Sequence, residues 1–509
     1  MKTFLFLIGG TGSRVLRSLT MLLASGVKIE GGNEIVPVVM DYDATNEDLR
    51  RTHELLARYR GLHEICDYTN YKFDEGGFFK TKIGELHNKA QISFSNDRNT
   101  FAKLIGYQSL ENISPDTKLL IDSLYDTSSS ESLSRELNLE LSVGFKGNPN
   151  IGSVVINDYF KSSQFKEVVD NFNIGDRVFI VGSIFGGTGS SGVPQLIRKI
   201  RETDAEKIDK NTPNTTIQMR QCKVGACIVM PYFGLKENPK SAINSNTFKS
   251  KARAALSYYH SAGINQKLDE VYYIGCDKTG AYDNCEGGSG QKNSAHLVEL
   301  LSAMSIIEFI NHDADRKEGQ TKYYTYTVQN GLNEKNLLKD LNFQELLARP
   351  NSESDVYKNY MKGLNEFAFF CKFFITNTRI QSQKKGLFSS KEEYYKRLET
   401  CLKPGEDFSE RINDFIYKEY LPWIDELKSN VQLGLQLFDF EKDINNILKI
   451  DDLNNKKVKG IEDSMVRAIA DYLGQEQFGK EDLEKQKRFF MRAAYKAGQA
   501  AMLKYNTEG

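Results

Sequence analysis

The same five residues, Gly-Gly-Thr-Gly-Ser, occur twice in this 509-residue chain, at positions 9–13 and 186–190. Glycines let a backbone come close to a phosphate oxygen, and Thr and Ser hydroxyls add donors. A helix that opens in such a turn aims unpaired N–H groups and a positive partial charge at the same point. The pair therefore predicts phosphate binding by Gly9, Gly10, Thr11, Gly12 and Ser13, and by Gly186, Gly187, Thr188, Gly189 and Ser190. Neither turn carries the lysine of a GxxxxGK[ST] loop, whereas Gly187, Gly189 and Gly192 fit GxGxxG, the dinucleotide pattern. Two turns mean two nucleotides, or one held from two sides. Other chemistries find less support: the six histidines show no HExxH spacing, no GxSxG marks a serine nucleophile, and no CxxC pair is present.

Both turns need a strand before them and a helix after them, and the sequence supplies both. "TFLFLI", "EIVPVVMDYD", "RVFIVGSI", "KVGACIVMPYF" and "EVYYIGCDK" are short apolar runs closed by Gly or Asp, as in parallel strands buried on both faces. Val15, Leu16, Leu19, Leu22 and Leu23 follow a helical period after the first turn, as do Val193, Leu196, Ile197 and Ile200 after the second. The alternation predicts an α/β fold with a doubly wound parallel sheet. Residues from about 50 to 142 are polar and turn-rich and read as an insertion. A core helix is expected at about 294–310. From about 333 the pattern is helical and charged, with "KYYTYTV" just before it as a strand. The expected organisation is a nucleotide-binding domain over 1–332 and a mostly helical region over 333–509.

Composition narrows the partners. With 67 basic and 68 acidic side chains the formal net charge is −1, so nucleic acid is not an expected ligand. The seven scattered cysteines fit a reducing, cytoplasmic compartment. "MKTFLFLIGG" opens like an export signal, but its apolar run stops at Ile8 and Arg14 and Arg17 follow, so it reads as a buried strand. The basic residues at about 480–504 are balanced by Glu481, Asp482 and Glu484, giving a solvated or partner-binding helix.

In their order these segments resemble the tubulin/FtsZ superfamily, and among its members the divergent bacterial tubulin-like (FtsZ-like) proteins. "SIFGGTGSSGVP" is similar to the family's GGGTGS/TG loop, with Phe185 at its first glycine. "GFKGNPNIGS" resembles the GAGANPEVG phosphate loop, aligning Gly147, Asn148 and Pro149, and "VVMDYDATNEDL" places Asp41 and Asp43 on an acidic or polar pair. "FKSKARAAL" resembles FEGKKRMA and puts Arg253 on a nucleotide-contacting arginine. Cys276 stands where the family has a guanine-contacting asparagine, His296 or Leu297 near its base-reading aspartate, and Lys249 at its ribose-side glutamate. "INHDAD" is similar to the hydrolytic INVDFAD loop with one residue fewer, so Asp313 and Asp315 become the expected catalytic acids. The family's Arg-Pro-Gly approach to that loop is absent. The resemblance implies GTP, with Mg²⁺ alongside, both turns gripping one nucleotide, and slow hydrolysis on head-to-tail self-assembly into filaments or oligomers. A membrane-associated or other protein partner would meet the helical C-terminal region. Two further classes stay open: a nucleotide-dependent interaction module without hydrolysis or polymerisation, and a dinucleotide-dependent oxidoreductase.

Overall fold

The computed structural model describes all residues except 31–33, 44–45, 69–75, 89–97, 126–135, 146, 203–217, 239–244, 277–280, 285–289, 291, 313–318, 329–356, 381–406, 431–434, 449–457, 476–482 and 509. Its strands are β1 (Lys2–Ile8), β2 (Glu34–Met40), β3 (Arg177–Ser183), β4 (Val224–Val229), β5 (Gly234–Leu235), β6 (Glu270–Cys276), β7 (Ala281–Tyr282) and β8 (Lys322–Val328). Six of them form one parallel sheet in the order β2-β1-β3-β4-β6-β8, while β5 and β7 pair as a short parallel ribbon. The apolar runs are central strands for a physical reason: every residue of β3 and β4 is buried. Successive side chains of β1 enter different cores, Leu5 and Leu7 on one face, Phe4, Phe6 and Ile8 on the other.

Helices cover both faces. On the first lie α1 (Gly9–Ala24) and α2 (Glu47–Cys66), and on the second α3 (Pro149–Tyr159), α4 (Gly187–Glu202) and α5 (Phe248–Ser261). The long core helix, α6 (Leu297–Asn311), is apolar on nearly every side, because it runs between the sheet and more helices. The stretch read as an insertion opens with α2, whose Leu55, Leu56, Tyr59 and Leu62 are buried in the first core. Asn46 starts that helix by accepting a bond from the Asp48 N–H.

After β8 the described chain is mostly helical: α7 (Lys362–Ile380), α8 (Leu421–Ser429), α9 (Ile461–Gln475) and α10 (Leu483–Glu508). These helices join the first core. Phe367 and Tyr495 meet the Phe78 ring edge-on at 5.0 and 5.1 Å, and Trp423 donates Nε1–H to Ser18 Oγ at 3.3 Å. A Cβ at Gly498 would lie 2.6 Å from the Glu366 carbonyl oxygen, so glycine lets α10 approach α7. Among the described residues no helix is long and apolar enough to cross a membrane.

Candidate functional site

β1 has β2 on one side and β3 on the other, and the strand order runs outward in opposite directions from that pair. Parallel sheets open a crevice at such a point, beyond the carboxyl ends of the strands. Both glycine turns lie there. Ile8, the last residue of β1, leads directly into α1, and Ser183, the last of β3, reaches α4 through Ile184, Phe185 and Gly186. The turns touch: a Cβ at Gly9, whose φ is +70°, would sit 3.5 Å from Thr188 Cβ. A third loop closes over the second turn, so that a Cβ at Gly187 would lie 2.9 Å from Phe145 Cβ and 3.0 and 3.1 Å from the Gly147 and Asn148 nitrogens. Asn148 then precedes α3, with Pro149 in its first turn. Neither α1 nor α3 has a side-chain cap, which leaves their first N–H groups for another acceptor.

The cleft between these loops opens to solvent and has a cavity volume of about 160 Å³. Of the residues expected from sequence, Gly9, Gly10, Thr11, Asp41, Asp43, Gly147, Gly186, Gly187, Thr188 and Gly189 line it. Others act behind the wall. Gly12 packs under Leu7, where a Cβ would come within 2.6 Å of the Leu7 carbonyl carbon. Ser13 is buried, and Ser190 donates to the Gly186 carbonyl. Three expected contacts lie away from the lining. His296 is fully buried as the N-cap of α6, its Nδ1 accepting from the Val298 N–H at 3.0 Å, its ring 4.9 Å from that of Tyr232. Cys276 is buried at the end of β6, and Arg253 is exposed on α5. On that same helix Lys251 turns inward and donates to the Gly147 carbonyl at 2.9 Å; burial lowers its ammonium's pKa. Asp313 and Asp315 lie outside the described residues.

The floor is ionic. Arg14, one turn into α1, lines the cleft and is 3% exposed. It donates to Glu299 Oε1 at 2.6 Å, Asp48 Oδ2 at 3.0 Å, Tyr232 OH at 2.9 Å and Thr11 Oγ1 at 3.3 Å. Burial works against its charge, yet Tyr232, Glu299 and Asp48 together hold its pKa well above the ordinary value. The network extends to α8, where Glu426 pairs with Arg17 and Arg51 and accepts the Ala295 N–H at 2.9 Å. Sequence alone treats Arg14 and Arg17 as interruptions of an apolar run. The clue is that an arginine on an otherwise apolar helix must find a buried acid.

The rim divides by chemistry. On one side, enclosure raises the Asp41 carboxyl to about 7, with Asp43 and Asp48 adding negative charge and the Asp43 N–H bond opposing. On the other, Phe185, Phe233 and Phe248 form an aromatic wall with ring centroids 5.0–5.9 Å apart. An anion cradle next to an apolar aromatic wall suits a phosphorylated aromatic compound.

No protein-family model and no curated protein matches the chain. Among solved structures it is similar to CetZ2 from Haloferax volcanii, in a GTPγS-bound protofilament. The identity is 12% and the TM-score 0.27, over 61% of this chain and 58% of that chain. The match thus spans less than two thirds of that relative. At such a distance the chemistry has to be read from the cleft itself.

Proposed function

We propose that the cleft binds one GTP, its phosphates between the two glycine turns, and that hydrolysis follows when another copy of the chain supplies the acids. The observation that carries this reading is the contact of both turns across the β1–β3 crossover. Two helix N-termini there aim at one volume, and a third, that of α3, opens from the adjoining loop. N–H groups of the helix ends donate to the phosphate oxygens, Thr11 and Thr188 add hydroxyl donors, and the aromatic wall takes the base. The motifs that resemble the tubulin/FtsZ superfamily, in the same order along the chain, favour guanosine triphosphate over other nucleotides.

Asp41 and Asp43 stand where a phosphate would repel them, unless a cation lies between. Two carboxylates plus phosphate oxygens and water suit Mg²⁺, which prefers one or two protein carboxylates. Among the described residues no group of three or more His, Cys, Asp or Glu could hold a metal by itself. Asp41 and Asp43, both in the cleft lining, are the residues that would hold the ion, which would neutralise phosphate charge.

The direction of α6 supports assembly. The helix begins beside Tyr232, at the cleft end of the sheet, and its 15 residues span about 22 Å. At its far end Arg177, the first residue of β3, donates to the carbonyls of Ile310 and His312 at 2.7 and 2.9 Å. His312 Nδ1 also lies 3.0 Å from Glu270 Oε2, on the first residue of β6. The chain thus leaves α6 at the amino ends of the strands, opposite the cleft, immediately before Asp313. Asp313 and Asp315, which come next in sequence, are the acids this reading assigns to the cleft of a neighbour, where they would polarise the attacking water. A head-to-tail contact of this kind repeats into an open filament unless its rotation closes a ring.

The test has three readouts: mass identification of the co-purified nucleotide, calorimetric titration with GTP, and phosphate release with light scattering over a protein concentration series. Bound GTP with turnover per subunit rising with concentration is expected. Bound NAD would make the chain an oxidoreductase. GTP bound by a monomer that releases no phosphate at any concentration would make it an interaction module. No nucleotide bound at all would end the reading.

A further inference from the structure

The residues that relatives of the GTP-binding type would use to read the base are absent from the cleft: Cys276 and His296 are buried elsewhere. Something else must meet the edge of a base lying against Phe233. The ribbon of β5 and β7 borders the cleft there, and Leu235 and Asp283 are among its lining residues. Lys236 N donates to the Tyr282 carbonyl at 2.8 Å, which sets Lys236 beside Asp283, and the two side chains pair, Nζ to Oδ1, at 2.7 Å. The ribbon is anchored from both sides. Tyr282 meets the Phe233 ring edge-on at 5.7 Å, and its hydroxyl accepts from Asn430 Nδ2 at 2.8 Å. That Asn430 amide also donates to the Ala295 carbonyl at 2.9 Å, just before α6.

We infer that the Asp283–Lys236 pair reads the base and selects guanine over adenine. This rests on the cleft binding a nucleotide. Guanine presents two donors, N1–H and the N2 amino group, beside the O6 acceptor. A carboxylate accepts both donors, and the ammonium that already pairs with it lies next to O6. Adenine offers an unprotonated N1 at the central position, whose lone pair faces the carboxylate and finds no donor. Asp283 is 90% exposed, so its carboxylate meets water until a base arrives, and replacing it leaves the core untouched.

The decisive variant is Asp283→Asn. The asparagine keeps an acceptor for N1–H but turns an N–H toward position 2, where guanine has an amino group and xanthine an oxygen. Calorimetry of wild type and D283N with GTP, XTP and ATP, each with Mg²⁺, reads the effect, and thermal melts confirm the fold. Wild type should prefer GTP. D283N should lose about 10- to 100-fold in GTP affinity and gain XTP affinity, the size of one charged hydrogen bond replaced by a clash. Lys236→Ala should weaken GTP and XTP alike, through O6. An unchanged GTP-to-XTP ratio in D283N overturns the inference while the cleft remains a nucleotide site, as does a wild type that prefers ATP. A wild type that binds none of the three removes the inference together with the reading beneath it.

Discussion

Arg14→Met tests the ionic floor most directly. The substitution keeps the length and apolar stem of the side chain but removes a guanidinium with four partners. Asp48 and Glu299, 0% and 1% exposed, would then keep their charges with no cation of equal closeness. Leaving a buried charge without its partner costs about 3–5 kcal/mol. Against a total stability of about 5–15 kcal/mol, that is a third or more of the whole. The chain carries one tryptophan, Trp423, buried and bonded to Ser18 on the same helix as Arg14, so its fluorescence reports the unfolding of this region. Urea titrations should show a large drop in midpoint for Arg14→Met and a smaller one for Arg14→Lys, which keeps the charge but not the fork of donors. Adding Glu299→Gln to Arg14→Met should recover part of the loss, because the stranded charge is then gone. A loss below about 1 kcal/mol, or strict additivity in the double variant, would refute the network as described.

Other substitutions separate binding, titration and turnover. Gly187→Ala places a methyl group against Phe145 and the nitrogens of Gly147 and Asn148, so GTP affinity measured by calorimetry should fall at least about tenfold through the displaced third loop. Glu366, 3% exposed, has its pKa raised from 4.5 to about 7 by burial, with Lys362 and Lys496 pulling the other way. The folded value exceeds the unfolded one, so the favourable contribution is complete below 4.5 and is lost as pH rises through 7. Glu366→Gln should therefore match wild type in stability near pH 4 and exceed it at pH 8 by up to roughly 3 kcal/mol for a shift of that size, which melting curves at the two pH values check. Asp313→Ala and Asp315→Ala should abolish phosphate release while leaving GTP affinity intact, and should prolong any assembled state seen by light scattering.

The parallel strands were legible in sequence because each is a run of apolar residues with no helical period, and burial on both faces demands that pattern. The glycine turns were legible too, since Gly9 holds a φ of +70° and close contacts at Gly12 and Gly187 leave little room for another residue. What escaped the sequence depends on partners distant along the chain. Arg14 meets Asp48 and Glu299, 34 and 285 positions away, and nothing local announces either pair. His296 caps α6 through Nδ1 with Glu299 closing the box, whereas Ser, Thr, Asp and Asn are the residues expected there. Arg253 and Lys251 share α5 and differ by two positions, and rotation of the helix alone decides which one faces the phosphate loop. The polar look of α2 hid its role because its buried residues occupy a single stripe among charged neighbours.

The edge-on contact between Phe78 and Tyr495 sets a timetable for the growing chain. A ribosome adding about 5–20 residues per second needs on the order of 20–80 s to pass from one ring to the other. Through that interval the apolar surfaces of α1 and α2 have been made, but the helices that cover them have not. The sheet can pair its strands early, yet the first core can close only after α10 emerges. A cell producing this chain has to shelter a sticky half-finished molecule for the better part of a minute. A codon change that slows translation between α7 and α10 would then lower the yield of soluble protein without altering a single residue.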